Sequence, residues 1–338
     1  KKFLPVDKFF QNVLYDEKIG YYATKKPFGL KGDFITAPQI SKLFSEIIAI
    51  WIVSTWQIFG NPKKFNIVEL GPGDGSLMKT LLETFKRFPD FNKAKTIYLY
   101  EVSNFLKGIQ KKNIKNKKVK WIKNFQHMNS GPVIFFGNEF FDAIPIKQFK
   151  RKKDLMFEKY FTFNENNKIT EIFKKAAEKD ISIINSYKSL INLKFIEFPK
   201  FGLEELKKIV NRISKKEGCL LMIDYGYLKS SNQNTLQSVM KHKKNYLFDN
   251  LGKADITSHV NFNLLSEFFL KNNLKIKKVL PQQKFLKNMG ILERAKIISK
   301  NMKFSDQSNM YLKLRRLLSP KLMGNLFKVS LAYKSKSN

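Results

Sequence analysis

The strongest structural signal in this 338-residue chain is the stretch Glu69-Leu70-Gly71-Pro72-Gly73-Asp74-Gly75. It follows a short apolar segment, residues 65–70, and precedes a segment with helical periodicity, residues 77–88. Glycines at such a strand-to-helix turn permit a tight bend and a close approach of backbone to a ligand. The stretch is not a P-loop, because no Gly-Lys-Ser/Thr follows it, and Ser76 stands where a dinucleotide-binding turn has its third glycine.

Strands and helices alternate outward from this turn. Further strands are predicted at 96–101, 119–122 and 133–136, with a helix at 105–110 among them. This βαβαβ rhythm predicts an α/β fold with a doubly wound parallel sheet. Later segments predict a buried strand at 219–223, another strand at 274–279 and a closing strand at 326–333.

Four regions are predicted along the chain. Residues 1–60 form an N-terminal helical cap with a lid loop, and residues 61–145 form a Rossmann-like half that binds a cofactor. Residues 146–200 interrupt the alternation of strands and helices and are interpreted as an α+β insertion with a hairpin at 148–163. Residues 201–338 complete the core and include a long polar loop on the substrate side at 225–258, a length that usually indicates function or mobility.

The composition excludes several classes of protein. Hydrophobic residues make up 43% of the chain, which is enough for a large core and argues against global disorder. The single cysteine, Cys219, excludes an internal disulfide framework and a cysteine-rich zinc site, and the three histidines form no HExxH motif. No run of about 18 apolar residues is present, so no membrane span is expected.

The net charge of +35 has two interpretations. A protein that binds nucleic acid or an anionic membrane carries such a charge, and so does a chain whose solvated surface is rich in lysine. Only six of the 63 basic residues are arginine, the side chain that reads bases and grips phosphates bidentately. We therefore favour the lysine-rich surface and expect no dedicated nucleic-acid partner.

Two acidic residues at predicted strand ends indicate the ligand. Glu69 ends the first strand and suits a cationic amino group, whereas Glu101 ends the second strand, where a carboxylate accepts hydrogen bonds from ribose hydroxyls. Together they favour S-adenosylmethionine over NAD or ATP. The alternative is an ordinary strand-to-helix turn without a ligand, and the position of Glu101 argues against it.

Several separate motifs then occur in an order that is typical of one family. They are Leu14-Tyr15-Asp16, Gly20-Tyr21-Tyr22, Gly32-Asp33-Phe34-Ile35-Thr36-Ala37-Pro38, Val68 to Gly75, Asn138-Glu139-Phe140-Phe141-Asp142-Ala143-Ile144-Pro145, Ile223-Asp224-Tyr225-Gly226, Ala254-Asp255-Ile256-Thr257-Ser258-His259-Val260 and Met323-Gly324-Asn325-Leu326-Phe327-Lys328-Val329. With these motifs the chain resembles, nearly end to end, the MidA-like family. This family comprises class I S-adenosylmethionine-dependent methyltransferases, including the mitochondrial complex I assembly arginine methyltransferase.

The resemblance implies a class I methyltransferase fold, in which the sheet is mostly parallel with an antiparallel closing strand, and S-adenosyl-L-methionine as the cofactor. Asn124 follows the third strand, where the family commonly has an acidic residue for the adenine amine, and Gln39 replaces a usual glutamate. Gly32-Asp33-Phe34 precedes a helix and is expected to fold over the cofactor as a lid, and a helix-capping turn is the alternative. The expected cofactor-binding residues are Asp33, Phe34, Glu69, Gly71, Gly73, Asp74, Gly75, Glu101, Asn124 and Asn138.

The resemblance also implies the acceptor, an arginine in a catalytic-core subunit of respiratory complex I (NADH:ubiquinone oxidoreductase) that is methylated during assembly. A guanidinium needs carboxylates to orient it and aromatic rings to enclose it, and the segment after the fourth strand offers Glu139, Phe140, Phe141 and Asp142. Asp255 and Thr257 are further candidates for the acceptor side. The expected catalytic residues are Glu139, Asp142, Asp224 and His259. Capping of backbone amides is the alternative for the two aspartates, and a structural hydrogen bond is the alternative for the histidine.

Two rival functions stay open at this point. An RNA or DNA methyltransferase would explain the charge, although Asn138-Glu139-Phe140-Phe141 replaces the Asn-Pro-Pro-Tyr type of loop used on base amines. A non-catalytic complex I assembly chaperone would keep the fold without turnover, although Glu69, Gly71, Gly73 and Glu101 are all intact. We expect a bacterial cytoplasmic location, or the mitochondrial matrix if the source is eukaryotic, and the sequence leaves the oligomeric state open.

Overall fold

A computed structural model describes residues 3–25, 29, 33, 36–166 and 168–334 of the chain. Its strands are β1 (Leu4–Pro5), β2 (Phe65–Leu70), β3 (Lys95–Tyr100), β4 (Val119–Ile122), β5 (Val133–Asn138), β6 (Lys147–Lys152), β7 (Leu155–Phe163), β8 (Ile169–Lys175), β9 (Phe195–Phe198), β10 (Gly218–Tyr227), β11 (Gln237–Met240), β12 (Lys243–Asn245), β13 (Asp255–Thr257), β14 (Val260–Asn261), β15 (Lys275–Pro281) and β16 (Phe327–Lys334). Its helices are α1 (Val6–Tyr15), α2 (Tyr21–Thr24), α3 (Ala37–Ile40), α4 (Lys42–Ile58), α5 (Ser76–Phe85), α6 (Pro89–Ala94), α7 (Asn104–Ile114), α8 (Glu178–Asn185), α9 (Lys200–Lys216), α10 (Phe262–Lys271), α11 (Gln282–Asn288), α12 (Ile291–Ser299), α13 (Phe304–Leu318) and α14 (Met323–Leu326).

The central sheet has the strand order β15-β16-β10-β5-β2-β3-β4, and the short strand β14 pairs with β10 beside this path. Strands β10, β5, β2, β3 and β4 are parallel to one another, and β16 is antiparallel to both of its neighbours. The chain runs from β2 to β3 and β4 on one side and returns to β5 and β10 on the other. Strands β2 and β5 therefore flank the topological switch point, where sheets of this kind bind their ligands. The predicted doubly wound sheet with an antiparallel closing strand is confirmed.

The strands of this sheet are apolar on both faces because helices cover both faces. All six residues of β2 are buried, and neighbouring residues contribute to opposite cores. Ile67 packs with residues of α4, α5 and α13 on one face, whereas Val68 packs with residues of α9 and α10 on the other. This two-sided burial fixes the sheet firmly and leaves only its carboxyl edge open for a site.

A second, antiparallel sheet lies in the region predicted as an insertion. Its strand order is β1-β7-β6-β9, with β8 paired to β7, and β6 and β7 form the predicted hairpin. Strand β1, from the N-terminal region, joins the same sheet through the pairing of Leu4 with Phe161. The N-terminal region and the insertion are therefore tied to each other by a ladder of hydrogen bonds.

The long loop expected at 225–258 is corrected by the structure. Strand β10 continues to Tyr227, and β11, β12 and β13 form a separate three-stranded antiparallel sheet with the order β12-β11-β13. These strands have only three or four residues each, and β13 pairs with β11 across a long sequence separation, with Thr257 opposite Gln237 and Asp255 opposite Val239. Strands this short give no readable alternation, so the sequence pattern alone resembles a loop.

Within the described residues, no helix combines the length and the apolar character that crossing a membrane requires.

The pairing of β10 with β14 gives a test of the fold next to the cavity. Gly226 lies opposite Val260, and a Cβ at residue 226 would come within 2.1 Å of the Val260 carbonyl oxygen. We expect Gly226→Ala to lower the free energy of unfolding by about 1–3 kcal/mol, the usual range for overpacking. The matched control is Gly108→Ala on the exposed surface of α7, where an added Cβ meets nothing within 4 Å and helix propensity favours alanine. Urea denaturation that ranks the two variants equally would contradict this packing.

Candidate active site

A cavity of about 500 Å³ opens at the carboxyl ends of β2, β3, β5 and β10, at the switch point of the sheet. Its volume lies within the range of sites for small molecules and cofactors. The side chains around it come from the glycine-rich turn, the segments after β3 and β5, the small sheet, the N-terminal helices and α13. Predicted residues in its lining are Glu69, Gly71, Gly73, Asp74, Glu101, Asn138, Glu139, Asp142, Asp255, Thr257 and His259.

The glycine-rich turn after β2 forms the floor of this cavity. Gly71 and Gly73 both have positive φ, 60° and 59°, and both line the cavity. A Cβ at residue 71 would lie 2.7 Å from the Phe140 ring. Gly75 has a different role, because it begins α5 in a left-handed conformation and its missing Cβ makes room for Ile114 at 3.0 Å. Gly75 is thus required for packing and does not line the cavity.

Glu69 brings a buried carboxyl group to the cavity. Its side chain is buried, and no described residue hydrogen-bonds to its Oε2. Burial, and then the neighbouring Asp74 carboxylate, raise the pKa of Glu69 well above its usual value. A buried carboxylate oxygen without a donor is unfavourable, so this position is complementary to a cationic or hydrogen-donating ligand group.

Glu101 is held in place by two hydrogen bonds. Its Oε1 accepts from the Ser103 amide at 2.8 Å, and its Oε2 accepts from Gln110 Nε2 at 2.9 Å. Burial raises the pKa of Glu101, and these two hydrogen bonds oppose the increase. The carboxylate keeps further lone pairs for a ligand hydroxyl, because each oxygen can accept more than one bond.

Gln110 connects Glu101 to the glycine-rich turn, and the sequence analysis did not identify it. It is fully buried, and its Nε2 donates both to Glu101 and to the Gly73 carbonyl at 2.9 Å, while its Oε1 accepts from Trp121 Nε1 at 2.8 Å. One detectable signal was present. Gln110 lies between Leu106 and Ile114 on the buried face of α7, where a polar side chain is exceptional.

Asp74 stabilises the glycine-rich turn through two hydrogen bonds. Its Oδ1 accepts from the Ser76 amide at 3.0 Å at the start of α5, and its Oδ2 accepts from Gln39 Nε2 at 2.9 Å. Gln39 also closes a capping box with Thr36 at the start of α3. The glutamine that departs from the family pattern is therefore a donor to Asp74, which a glutamate at this position would repel.

Besides Gly75, three expected cofactor residues are not placed in the lining. Asp33 is buried, but it accepts from the Tyr21 hydroxyl at 2.7 Å and from the Lys241 amide at 2.8 Å, and so ties the N-terminal region to the turn after β11. Asn124 is exposed, and its Oδ1 accepts from the Gln126 amide at 3.1 Å. Phe34 lies outside the described residues.

The segment after β5 places two carboxylates deep in the cavity. Glu139 has a positive φ of 53°, which is rare for a non-glycine residue and is concentrated at functional sites. Burial, and then the nearby Asp142, raise the pKa of Glu139 to about 8. Asp142 accepts from the Tyr225 hydroxyl at 2.5 Å through Oδ2, while its Oδ1 is buried without a described partner. Burial raises the pKa of Asp142 to about 6.

Asp224 does not contact the cavity, which corrects its expected catalytic role. Its Oδ2 accepts from the amides of Phe141 and Asp142 at 2.9 and 3.2 Å, and its Oδ1 accepts from the Tyr225 amide at 2.9 Å. These bonds hold the segment after β5 in its sharp turn. The capping alternative is therefore the one that the structure supports.

His259 lines the cavity and is half-buried. Its ring contacts the edge of Tyr225 with ring centroids 5.4 Å apart. Burial, and then Lys328, lower the pKa of His259, so the ring is neutral at physiological pH. Other lining residues that sequence reasoning did not identify are Tyr15, Tyr22, Tyr225, Gln237 and Arg316. They come from five separate elements. Tyr15, Tyr22 and Tyr225 lie in the quoted motifs but were assigned no role there, and Gln237 and Arg316 lie in none of those motifs.

The electrostatic character of the cavity is opposite to that of the chain. Among the described residues, six acidic side chains line it, namely Glu69, Asp74, Glu101, Glu139, Asp142 and Asp255, against one basic side chain, Arg316. The whole chain, by contrast, carries a net charge of +35. A concave site lined by one sign of charge concentrates ligands of the other sign, so this cavity favours cations.

Comparison with known proteins agrees with this geometry. A family model described as S-adenosyl-L-methionine-dependent methyltransferase matches residues 47–279, more than half of the chain. The chain belongs to this family. The match covers the glycine-rich turn, the segment after β5 and the small sheet, so the predicted cofactor, S-adenosyl-L-methionine, is confirmed with the family.

Named relatives are similar over most of their length. The mitochondrial protein arginine methyltransferase NDUFAF7 of Xenopus laevis is 28% identical over 96% of this chain and 80% of its own length. The human protein of the same name is 27% identical over 96% of this chain and 78% of its own. A homolog from Caenorhabditis elegans is 29% identical over 86% of this chain and 74% of its own.

Among solved structures, a COG1565 superfamily member from Burkholderia thailandensis bound to S-adenosyl-homocysteine superposes with a TM-score of 0.82. It is 21% identical, and the alignment covers 99% of this chain and 89% of that one. At this identity the likeness establishes the fold.

The residues of the cavity suit S-adenosylmethionine. Glu69 offers an unpartnered carboxylate oxygen for an ammonium group, Gly71 and Gly73 leave room where the backbone approaches a ligand, and Glu101 offers carboxylate lone pairs for hydroxyls.

We expect Glu101→Ala to weaken cofactor binding by about 1.5–3 kcal/mol, the scale of hydrogen bonds to a charged group.

Calorimetry with S-adenosylmethionine and its 2′-deoxyribose analogue measures this loss. The analogue should bind more weakly than the parent in the wild type and about equally in the variant, because the carboxylate that distinguishes them is gone. Fully additive losses from the two changes would show that Glu101 does not hold the ribose.

The raised pKa of Glu139 gives a pH prediction. The folded protein keeps a proton on this group up to about pH 8, whereas the unfolded chain releases it near the ordinary value of 4.5. The stability linked to this group is therefore fully present below about pH 4.5 and is lost as the pH rises through about 8. Wild type should lose stability relative to Glu139→Gln across this window, by up to about 1.4 kcal/mol per pH unit. Chemical denaturation from pH 5 to pH 9 tests this prediction, and parallel stability curves for the two proteins would contradict the raised pKa of Glu139. The exposed Asp154→Asn variant is the control.

Proposed function

We propose that this methyltransferase transfers its methyl group to an arginine side chain of a protein, and that the protein is a core subunit of respiratory complex I. The observation that supports an arginine acceptor is the excess of buried carboxylates in the cavity. The ammonium group and ribose of the cofactor require two of them, Glu69 and Glu101. Glu139, Asp142 and Asp255 then remain for a second cationic ligand.

Arginine suits these remaining carboxylates better than other protein side chains. Its guanidinium is planar, stays charged, and presents five N–H donors that match carboxylate oxygens. The relatives at 27–29% identity are named protein arginine methyltransferases, which supports the same acceptor. The assignment to complex I follows from the resemblance to the MidA-like family.

The chain's own residues provide alignment and a proton acceptor. Bound S-adenosylmethionine supplies an electrophilic methyl group on its sulfonium. Methyl transfer is an in-line displacement that depends mainly on holding the donor and the acceptor nitrogen in register. Asp142 is fixed by Tyr225 and keeps Oδ1 free to hold one guanidinium nitrogen.

Glu139 is suited to receive the proton that the guanidinium nitrogen loses on methylation. Without ligands its pKa of about 8 leaves it largely protonated at neutral pH, and the positive charges of the cofactor and the acceptor lower that pKa and release the proton. The carboxylate is then free to act as a general base whose pKa is close to the working pH. Asn138 donates to Glu139 Oε1 at 3.1 Å and restricts the carboxylate to one orientation. The strained backbone at residue 139 then determines where that oxygen points.

The test of this proposal is labelled-methyl transfer from S-adenosylmethionine to isolated complex I core subunits, followed by mass spectrometry of the labelled peptide. A label on arginine supports the proposal. A label on lysine, or on transfer RNA supplied as a competing acceptor, would contradict it.

Glu139→Gln should reduce methyl transfer by about 10²-fold or more, the scale of lost positioning and general-base catalysis. Cofactor affinity should stay near that of wild type, because the amide preserves the shape of the side chain. Asp154→Asn, an equivalent charge change on the exposed β6–β7 turn, is the control and should transfer methyl normally. A Glu139→Gln enzyme with the wild-type rate would remove Glu139 from the reaction.

A further inference from the structure

The small sheet β11–β13 forms one wall of the acidic cavity. Gln237 and Val239 of β11 line it together with Asp255 and Thr257 of β13. In the register of the sheet, residue 237 pairs with residue 257 and residue 239 with residue 255. Because residues two apart on a strand share a face, one face of this sheet is turned toward the cavity. That face carries one carboxylate, Asp255.

Asp255 is fixed from the side of the N-terminal helices. Its Oδ1 accepts from the Tyr22 hydroxyl at 3.3 Å, and its side chain is buried. The Tyr22 ring stacks on Tyr15 with ring centroids 5.6 Å apart, and the Tyr15 hydroxyl donates to the Ala143 carbonyl at 2.9 Å. The two tyrosines therefore connect Asp255 to the segment after β5, which also carries Asp142.

Asp142 and Asp255 both line the cavity. Burial, and then the charge of Asp142, raise the pKa of Asp255 well above its usual value. The Ser258 amide donates to the Asp142 carbonyl at 3.0 Å, so the end of β13 is attached directly to the segment after β5. Each carboxylate accepts one tyrosine hydroxyl, and Asp142 Oδ1 is a buried acceptor to which no described residue donates.

We propose that Asp142 and Asp255 together bind the acceptor guanidinium from two sides, and that this pair makes the site selective for a guanidinium over a primary ammonium. The inference rests on the proposed function and extends it to acceptor selectivity. A guanidinium presents N–H donors along more than one edge of its plane and can bridge two separate carboxylates, whereas a lysine ammonium is a compact point charge. Two carboxylates with fixed tyrosine partners thus fit the broader cation.

Binding of two small probes tests this selectivity without requiring turnover. N-acetyl-arginine amide and N-acetyl-lysine amide are titrated, with ligand-observed NMR, into the protein saturated with S-adenosylhomocysteine. Wild type should prefer the arginine probe by about 10-fold or more, and Asp255→Asn should remove most of that preference, as expected for a lost charge-assisted pair. Tyr22→Phe should reduce the preference for the arginine probe about 3-fold, because it removes the hydrogen bond to Asp255 and keeps the stacked ring.

Three readouts separate this role from a structural one. Asp255→Asn should keep its S-adenosylhomocysteine affinity and should not unfold at a lower temperature, because removal of a buried like-charged carboxylate does not cost stability. The exposed Asp249→Asn variant, in the segment between β12 and β13, should behave as wild type. An Asp255→Asn protein that binds the arginine probe as wild type does would overturn the inference.

The outcomes also distinguish the inference from the proposed function. Probe selectivity that depends on Asp255, together with a labelled methyl group found on lysine or RNA, would reject arginine methylation and keep the cation pair. Methylation of arginine that is equally efficient in wild type and Asp255→Asn would keep the proposed function and reject the pair. A wild-type protein that binds both probes equally would reject the inference directly.

Discussion

Burial of carboxylates without partner charges is the constraint on which the site depends. Glu69, Glu139, Asp142 and Asp255 all have raised pKa values, chiefly because burial disfavours their ionised forms. Such groups are unfavourable in a folded chain unless a cation or a set of donors completes them. The chain has a net charge of +35, yet among the described residues only Arg316 brings a basic side chain to the cavity lining. The cations that this arrangement needs therefore come with the ligands, and the proposed methyl transfer to a guanidinium would provide two of them.

The fold holds these groups in position by attaching them to rigid elements. The switch point between β2 and β5 places the glycine-rich turn beside the segment that carries Glu139. Gln110 links that turn to Glu101, and Asp224 holds the turn after β5 by capping its amides. Gln110, which the sequence did not identify, and Asp224, which was expected to be catalytic, thus determine the geometry in the way that supporting residues usually orient a catalytic group.

Much of the fold and of the cofactor side could be predicted because their signals are local. A few residues suffice to recognise a glycine-rich turn between a strand and a helix, or an acidic residue at a strand end. The parallel sheet follows from the alternation of strand periodicity and helix periodicity along the chain. The errors have a common physical cause. The strands β11, β12 and β13 are too short to show the alternation of apolar and polar residues that marks a strand. Asp224 accepts hydrogen bonds from backbone amides, and in sequence such an aspartate cannot be told from a catalytic one. Gln110 and Tyr22 acquire their roles only through contacts with distant elements.

The most direct test of the central claim is the number of protons that move when the cofactor binds. Calorimetric titration with S-adenosylmethionine near pH 7, repeated in buffers of different ionisation enthalpy, measures this number. If buried carboxylates such as Glu69 hold protons until a cation arrives, binding should lower their pKa values and release protons, and Glu69→Gln should release fewer. A binding enthalpy that is the same in every buffer would contradict the view that ligand charge completes this acidic cavity.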